Sequence, residues 1–192
     1  MQACRLAVTD IACQRGDRLL FRGLSFALTS GDALHVAGPN GIGKSSLLRI
    51  LAGLLRPLAG KVDQGGEIAL LDERPALDPH QPLGKALGFW QRLDGPADNE
   101  AARLGLAPLR DVPVRFLSTG QKKRAGFARL LGQGAPIWLL DEPLNGLDRD
   151  AVTLIETLIG AHCAGGGICI IASHQPIDLP VARRISLGEY QP

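Results

Sequence analysis

Aromatic residues are scarce in this chain of 192 residues: five Phe, two Trp and one Tyr make up 4% of it. Its core therefore has to be filled by Leu, Ile, Val and Ala. Neither sign of charge dominates, with 21 Lys and Arg against 19 Asp and Glu, a formal net charge of +2. A charge this small creates no demand for nucleic acid, and no nucleic-acid partner is expected. The four cysteines, Cys4, Cys13, Cys163 and Cys169, form no C-x-x-C pair and are expected to be buried, reduced thiols. The four histidines do not cluster with them, which leaves a zinc site without support. No apolar run approaches the ~20 residues needed to span a bilayer. The opening MQACRLAVTD meets Asp10 too early to be a signal peptide. The chain is expected not to cross a membrane by itself, which leaves docking on a membrane protein open.

Glycine is abundant instead, at 24 residues, and 45% of the chain is hydrophobic. One α/β domain over 1–192 suits that length and composition. Residues 4–11 partly alternate and suggest an edge strand. Leu24–Leu28 suggests a second strand and Ala33–Ala37 (ALHVA) a central one. Ser45–Leu54 reads as a helix with Leu47, Leu48, Leu51 and Leu54 on one side. Gly60–Val62 and Glu67–Leu71 suggest short strands about a turn at Gly65 and Gly66. Residues 72–116 hold six prolines around LGKALGFWQRL and read as a small helical insertion, within a helical subdomain at about 73–132. Helix at Gln121–Leu131, strand at Ile137–Leu140, helix at Arg149–Ala161 and strand at Ile168–Ala172 follow, and the tail from Asp178 has room for one short strand. Strands alternating with helices predict a mostly parallel sheet flanked by helices, with an antiparallel N-terminal part.

The chemistry is concentrated in two places. Residues 38–45 read GPNGIGKS, between an apolar strand and a helix, and match the P-loop pattern G-x-x-x-x-G-K-[ST]. Glycines let backbone amides curl around phosphate oxygens, and the helix N-terminus adds favourable dipole charge. Gly38, Pro39, Asn40, Gly41, Ile42, Gly43, Lys44, Ser45 and Ser46 are therefore the expected nucleotide-binding set. Lys44 is expected on the β- and γ-phosphates of ATP and Ser45 on Mg²⁺. Further on, IWLLDE ends an apolar strand in two carboxylates. Asp141 is expected to act on the Mg²⁺ side and Glu142 as general base toward the attacking water.

Three further segments complete a pattern: LSTGQ at 117–121, NGLD ending at Asp148, and IIASH ending at His174. With GPNGIGKS and LLDEP they resemble the nucleotide-binding subunits of ABC transporters over about residues 3–190. The stretch DRLLFRGLSFALTSGDALHVAGPNGIGKSSLLRILAGLLRPLAGKV and the ending LPVARRISLGEY narrow this to a resemblance to the ATP-binding subunits of the cytochrome c maturation, or haem exporter, complexes. The resemblance implies two subunits head to tail, with Ser118 and Gly120 touching the γ-phosphate on the partner's Lys44 and Asp148 crossing the interface. It implies that His174 contacts the γ-phosphate and helps position the water. It also implies a membrane subunit, a peripheral place on the cytoplasmic side of the bacterial inner membrane, and indirect work on a haem chaperone. The alternatives are the ATPase of another small transporter, a soluble ABC protein, or a small-molecule kinase, which would have no need of LSTGQ.

Two features of the pattern are missing. Where the family carries a glutamine, this chain reads LLDERPALDPHQ, with Glu73 or Arg74 at the matching place. Where an aromatic stacks on adenine it reads CQRG, leaving Arg15 or Arg18 as weak substitutes. Lys122, Lys123 and Arg124 read as a solvated helix face or a positive field near ATP. The helical segment at about 76–110 is expected to dock the membrane partner; within it Leu83, Ala86, Leu87, Trp90 and Leu93 can share a helix face, which either packs inward or serves that docking.

Overall fold

The chain opens on two long strands, β1 (Arg5–Arg15) and β2 (Arg18–Thr29), paired antiparallel. The structure is a computed structural model and describes residues 4–94, 98–179 and 182–191. The expected edge strand is a correction: β1 is the middle strand of the order β2-β1-β4, with β4 at Ala59–Gly65. Its alternation is incomplete because the strand bulges. Asp10 takes φ 51°, and the register on both neighbours shifts beyond it.

A second sheet is wholly parallel, with order β5-β6-β7-β3-β8. Its strands are β3 (Ala33–Ala37), β5 (Ile68–Leu71), β6 (Ile137–Asp141), β7 (Ile168–Ser173) and β8 (Ala182–Ser186). Every residue of β3, β6 and β7 is buried, as expected of strands covered on both faces. Along β6 the side chains alternate between two cores. Ile137 and Leu139 join Leu34, Val36, Leu47, Leu48 and Phe21 under the antiparallel sheet. Trp138 and Leu140 face Phe127, Ile155 and Leu83 on the other side.

The helices are α1 (Lys44–Leu51), α2 (Leu83–Asp94), α3 (Asp98–Arg103), α4 (Thr119–Gly132) and α5 (Arg149–Ala164). Helix α1 stops before Leu54, which is 68% exposed rather than part of the apolar face. Helix α4 begins two residues before the expected Gln121, because Ser118 caps it. In α2 most of the apolar stripe points inward: Leu83, Ala86 and Leu87 are buried in the core and Trp90 packs against it, whereas Leu93 is 65% exposed. The Trp90 ring lies 3.6 Å from the Arg129 guanidinium, and its Nε1 donates to the Ala76 carbonyl. Helix α2 packs on α4, so its most apolar face goes to that neighbour. All four cysteines are buried and unbridged, as expected.

One glycine shows how closely β4 approaches the bulge of β1. Gly60 sits at φ 83°, and a Cβ there would fall on the Thr9 and Asp10 carbonyls at the bulge. Gly16, at φ 57°, has nothing within 4 Å. Gly60→Ala should therefore lose at least ~2 kcal/mol, from backbone strain and overlap together. Gly16→Ala should lose about 1 kcal/mol, from strain alone. Urea midpoints of the two variants at unchanged m-value test this ordering.

Candidate active site

Four adjacent strands, β5-β6-β7-β3, end at one rim of the parallel sheet, and each hands a polar residue to it. Strand β3 runs into the loop 38–43, β6 into Asp141 and Glu142, β7 into Ser173 and His174, and β5 into Asp72 and Glu73. Ligands of such sheets bind at this rim, outside the carboxyl ends of the strands. A cleft of about 370 Å³ lies there, lined by Leu20, Asn40, Gly41, Gly43, Lys44, Ser45, Ser46, Glu73 and Glu142.

The loop is shaped by its glycines. Gly38, Gly41 and Gly43 take φ of 154°, 79° and 119°. Ile42 is buried beneath it, and a Cβ on Gly43 would come within 3.1 Å of the Phe21 ring. Helix α1 starts at Lys44, and its first intrahelical bond, Leu47 N–H to Gly43 O, leaves the preceding amides open to an anion.

Lys44 is 5% exposed. Its ammonium donates to the carbonyls of Gly38 (2.7 Å) and Pro39 (3.2 Å) and lies 3.2 Å from Glu142 Oε1. His174 Nδ1 stands 3.0 Å from Glu142 Oε2, and the His174 amide donates to Oε1 at 3.2 Å. Glu142 itself is buried and held at φ 46°, a left-handed conformation that a β-carbon disfavours. Burial pushes its carboxyl up, but the His174 hydrogen bond and then the Lys44 hydrogen bond and charge outweigh burial and hold it below the usual range. Next to it the order reverses. Burial raises the Asp141 carboxyl, the Glu142 and Glu73 charges add to that, and a hydrogen bond with Ser45 and the Lys44 charge only partly oppose it.

A second helix start lies apart from this cleft. Ser118 Oγ accepts from the Gln121 amide (3.2 Å) and Gln121 Oε1 accepts from the Ser118 amide (2.8 Å), a complete capping box for α4. Ser118 and Thr119 are exposed. Asp148 caps α5, accepting from the Ala151 amide at 2.8 Å.

The profile of the ABC transporter family matches residues 21–145. The chain is 58% identical over 192 residues, the whole of both chains, to the cytochrome c biogenesis ATP-binding export protein CcmA of Novosphingobium aromaticivorans. It is 51% identical over 187 residues to the protein of the same name from Sphingopyxis alaskensis, covering 95% of this chain and 96% of that one. This chain belongs to the cytochrome c biogenesis ATP-binding export proteins of the ABC transporter family. It is an ABC-type ATPase. The fold agrees with a solved ABC transporter ATP-binding protein from Pyrococcus furiosus, with a TM-score of 0.82, 23% identity, and coverage of 98% of this chain and all of that one.

Several expected residues meet at the cleft: the loop residues, Lys44, Ser45 and Ser46, with Asp141, Glu142 and His174 beside them. Ser118, Gly120 and Asp148 are not among the residues lining it. Glu73 lines the cleft where the family carries a glutamine, whereas Arg74 does not, and Gln81 lies in a separate groove. Phe21, the first aromatic, is fully buried, and Leu20 is the apolar side chain at the cleft mouth. Lys123 was legible only as part of a basic run. It turns inward and donates to the Glu142 main-chain carbonyl at 2.7 Å.

The residues fit the Mg²⁺ that this family uses with ATP. Asp141 Oδ1 is buried without a hydrogen-bond partner, and the Ser45 hydroxyl is beside it, an all-oxygen donor set suited to a hard cation. Among the described residues no group of three or more His, Cys, Asp or Glu forms another metal site. Holding a buried carboxylate with one orphaned oxygen here costs stability, because burial weakens its folded-state acidity relative to the unfolded chain. Asp141→Asn should raise the melting temperature of the nucleotide-free chain by ~2–4 °C, the scale of about 1 kcal/mol in a domain of this size. It should also abolish the extra stabilisation that Mg²⁺ adds to ADP. Thermal unfolding with EDTA and with Mg²⁺–ADP reads both effects.

Proposed function

We propose that the chain hydrolyses ATP as one of two identical subunits that drive a membrane complex of cytochrome c biogenesis, coupling hydrolysis to the handling of haem and its release from a haem chaperone. It works as a peripheral protein on the cytoplasmic side of the inner membrane. No helix among the described residues is long and apolar enough to cross a membrane. The observation that carries the reading is Glu142 clamped between Lys44 and His174 at the mouth of the phosphate loop.

The steps follow from those contacts. Backbone amides of the loop beyond Pro39 and the start of α1 take the phosphates of ATP. Ser45 and Asp141 would hold Mg²⁺, which would supply positive charge to the phosphates. The γ-phosphate draws the Lys44 ammonium away from Glu142. Loss of that cation raises the depressed pKa of the Glu142 carboxyl and makes its carboxylate a better base just as substrate arrives. Glu142 accepts a proton from water as the water oxygen attacks the γ-phosphorus, and the bond to the β–γ bridging oxygen breaks to leave ADP and phosphate. His174 holds the carboxylate and reaches the γ-phosphate. Ser118 and Gly120 complete the site from the partner subunit, which fits an exposed helix start standing outside the chain's own cleft. Asp148 borders the same interface.

A groove of about 840 Å³ between the 76–81 loop and α2 supports a partner site on the helical subdomain. Phe89, half exposed, and Gly84, Gly88 and Arg92 line it. The docking surface is thus this groove, whose lining takes in Ala86 and Trp90 but not the buried Leu83 and Leu87.

Two outcomes are expected. Lys44→Ala should weaken ATP binding and turnover together, whereas Glu142→Gln should cut turnover ~100-fold or more while keeping ATP bound and accumulating the dimer. Nucleotide retention and solution mass distinguish them, and near-normal turnover by Glu142→Gln removes the base assignment. Phe89→Glu should reduce co-purification with the membrane subunit severalfold at unchanged ATP affinity, and full retention of the partner moves the docking surface elsewhere.

A further inference from the structure

Glu142 is held from three directions, and only one belongs to the phosphate site. Its amide donates to the Ala172 carbonyl of β7 at 2.8 Å. Its carboxylate meets Lys44 and His174. Its carbonyl, turned out of the sheet by the left-handed φ of 46°, receives the Lys123 ammonium at 2.7 Å. The Asn145 amide also points at that carbonyl, but from 3.4 Å. Lys123 is therefore the close donor to the one peptide oxygen that the strained conformation exposes.

The lysine is held in that place. It is half-buried, and burial lowers the pKa of its ammonium while the carboxylates of Glu73, Asp141, Glu142 and Asp72 oppose that loss. Four negative groups around one cation draw it inward. Lys123 also stands three residues beyond Gly120, on the helix whose start is exposed. That start touches the turn after Glu142: a Cβ on Gly120 would lie 3.3 Å from the Gly146 carbonyl, and one on Gly146 would lie 3.0 Å from Thr119 Cγ2.

We propose that Lys123 is a positioning residue for Glu142, holding its strained peptide so that the carboxylate keeps its aim and tying that aim to the position of α4. The inference rests on Glu142 being the base. A left-handed glutamate has neighbouring backbone wells to relax into, and a change of ψ at Glu142 would swing the following turn away from α4. The Lys123 bond spans that hinge. Movement of α4, whose start faces the partner's nucleotide in the two-subunit reading, then reaches the chain's own Glu142 through one ammonium.

The test compares Lys123→Met and Lys123→Arg in the full-length chain, reading kcat, ATP affinity and melting temperature, with Glu142→Gln alongside. Lys123→Met keeps the apolar stem and removes the donor. Its kcat should fall at least tenfold with ATP affinity within threefold of the parent, and Lys123→Arg should regain most of the loss. A kcat within twofold in Lys123→Met overturns the inference, as does a parallel loss of kcat and affinity, or an arginine variant no better than the methionine one. Should Lys123→Met not fold, Lys123→Gln, which keeps an N–H donor one atom short and uncharged, is read by the same criteria. Failure of both to fold assigns Lys123 to the scaffold and overturns the proposal. Near-normal turnover in Glu142→Gln defeats the base reading itself, whereas an inactive Glu142→Gln beside a fully active Lys123→Met defeats this inference alone.

Discussion

The site hangs from the parallel pairing of β6 with β5 on one side and β7 on the other. Parallel register places the carboxyl ends of neighbouring strands side by side, so residues far apart in sequence leave the sheet at one rim. Leu71 pairs with Leu140 and Asp141 with Ala172, which sets Glu73, Glu142 and His174 within reach of one another. Strand β3, beside β7, brings the phosphate loop to the same rim. A slip of one residue in β6 would turn Asp141 and Glu142 to the wrong faces and exchange the two cores at once. The apolar alternation of Ile137, Trp138, Leu139 and Leu140 between those cores resists such a slip.

That rigidity supports a locally unfavourable centre. Lys44, Asp141 and Glu142 are buried charges, and Glu142 is also strained. Two adjacent carboxylates have acidities driven in opposite directions. Asp141, with an orphaned oxygen, suits a cation, and Glu142, tied by His174 and Lys44, suits proton transfer. Buried charge of this kind is supported by the surrounding packing rather than contributing to it.

The helical segment shows the opposite economy. Its most apolar stripe is consumed in the core with α4, and what remains outside is a groove of mixed polarity around Phe89. A partner gripping that groove touches α2, and α2 packs on α4. Contact therefore runs continuously from the outer groove to the helix that carries Lys123 and the capped start at Ser118.

The sequence by itself determined the phosphate loop, the acidic end of β6, the αβ alternation and the family. Each is written in adjacent residues: the spacing of Gly38, Gly43, Lys44 and Ser45, or four apolar residues before Asp141. Local pattern carries such features because the chemistry needs consecutive backbone groups. It failed where the deciding contact is remote. Residues 4–11 read as an edge strand, since β4, its second neighbour, lies some fifty residues away and the bulge at Asp10 blurs the alternation. The α2 stripe read either as core or as a docking face, because periodicity shows that a face is apolar and not what covers it. Glu73 could be told from Arg74 only once β5 had a register against β6. Lys123 lay hidden in a basic run, since nothing in Lys-Lys-Arg says which cation turns inward. Tertiary structure decided these points because each depends on which surface meets which, and a one-dimensional pattern does not contain that information.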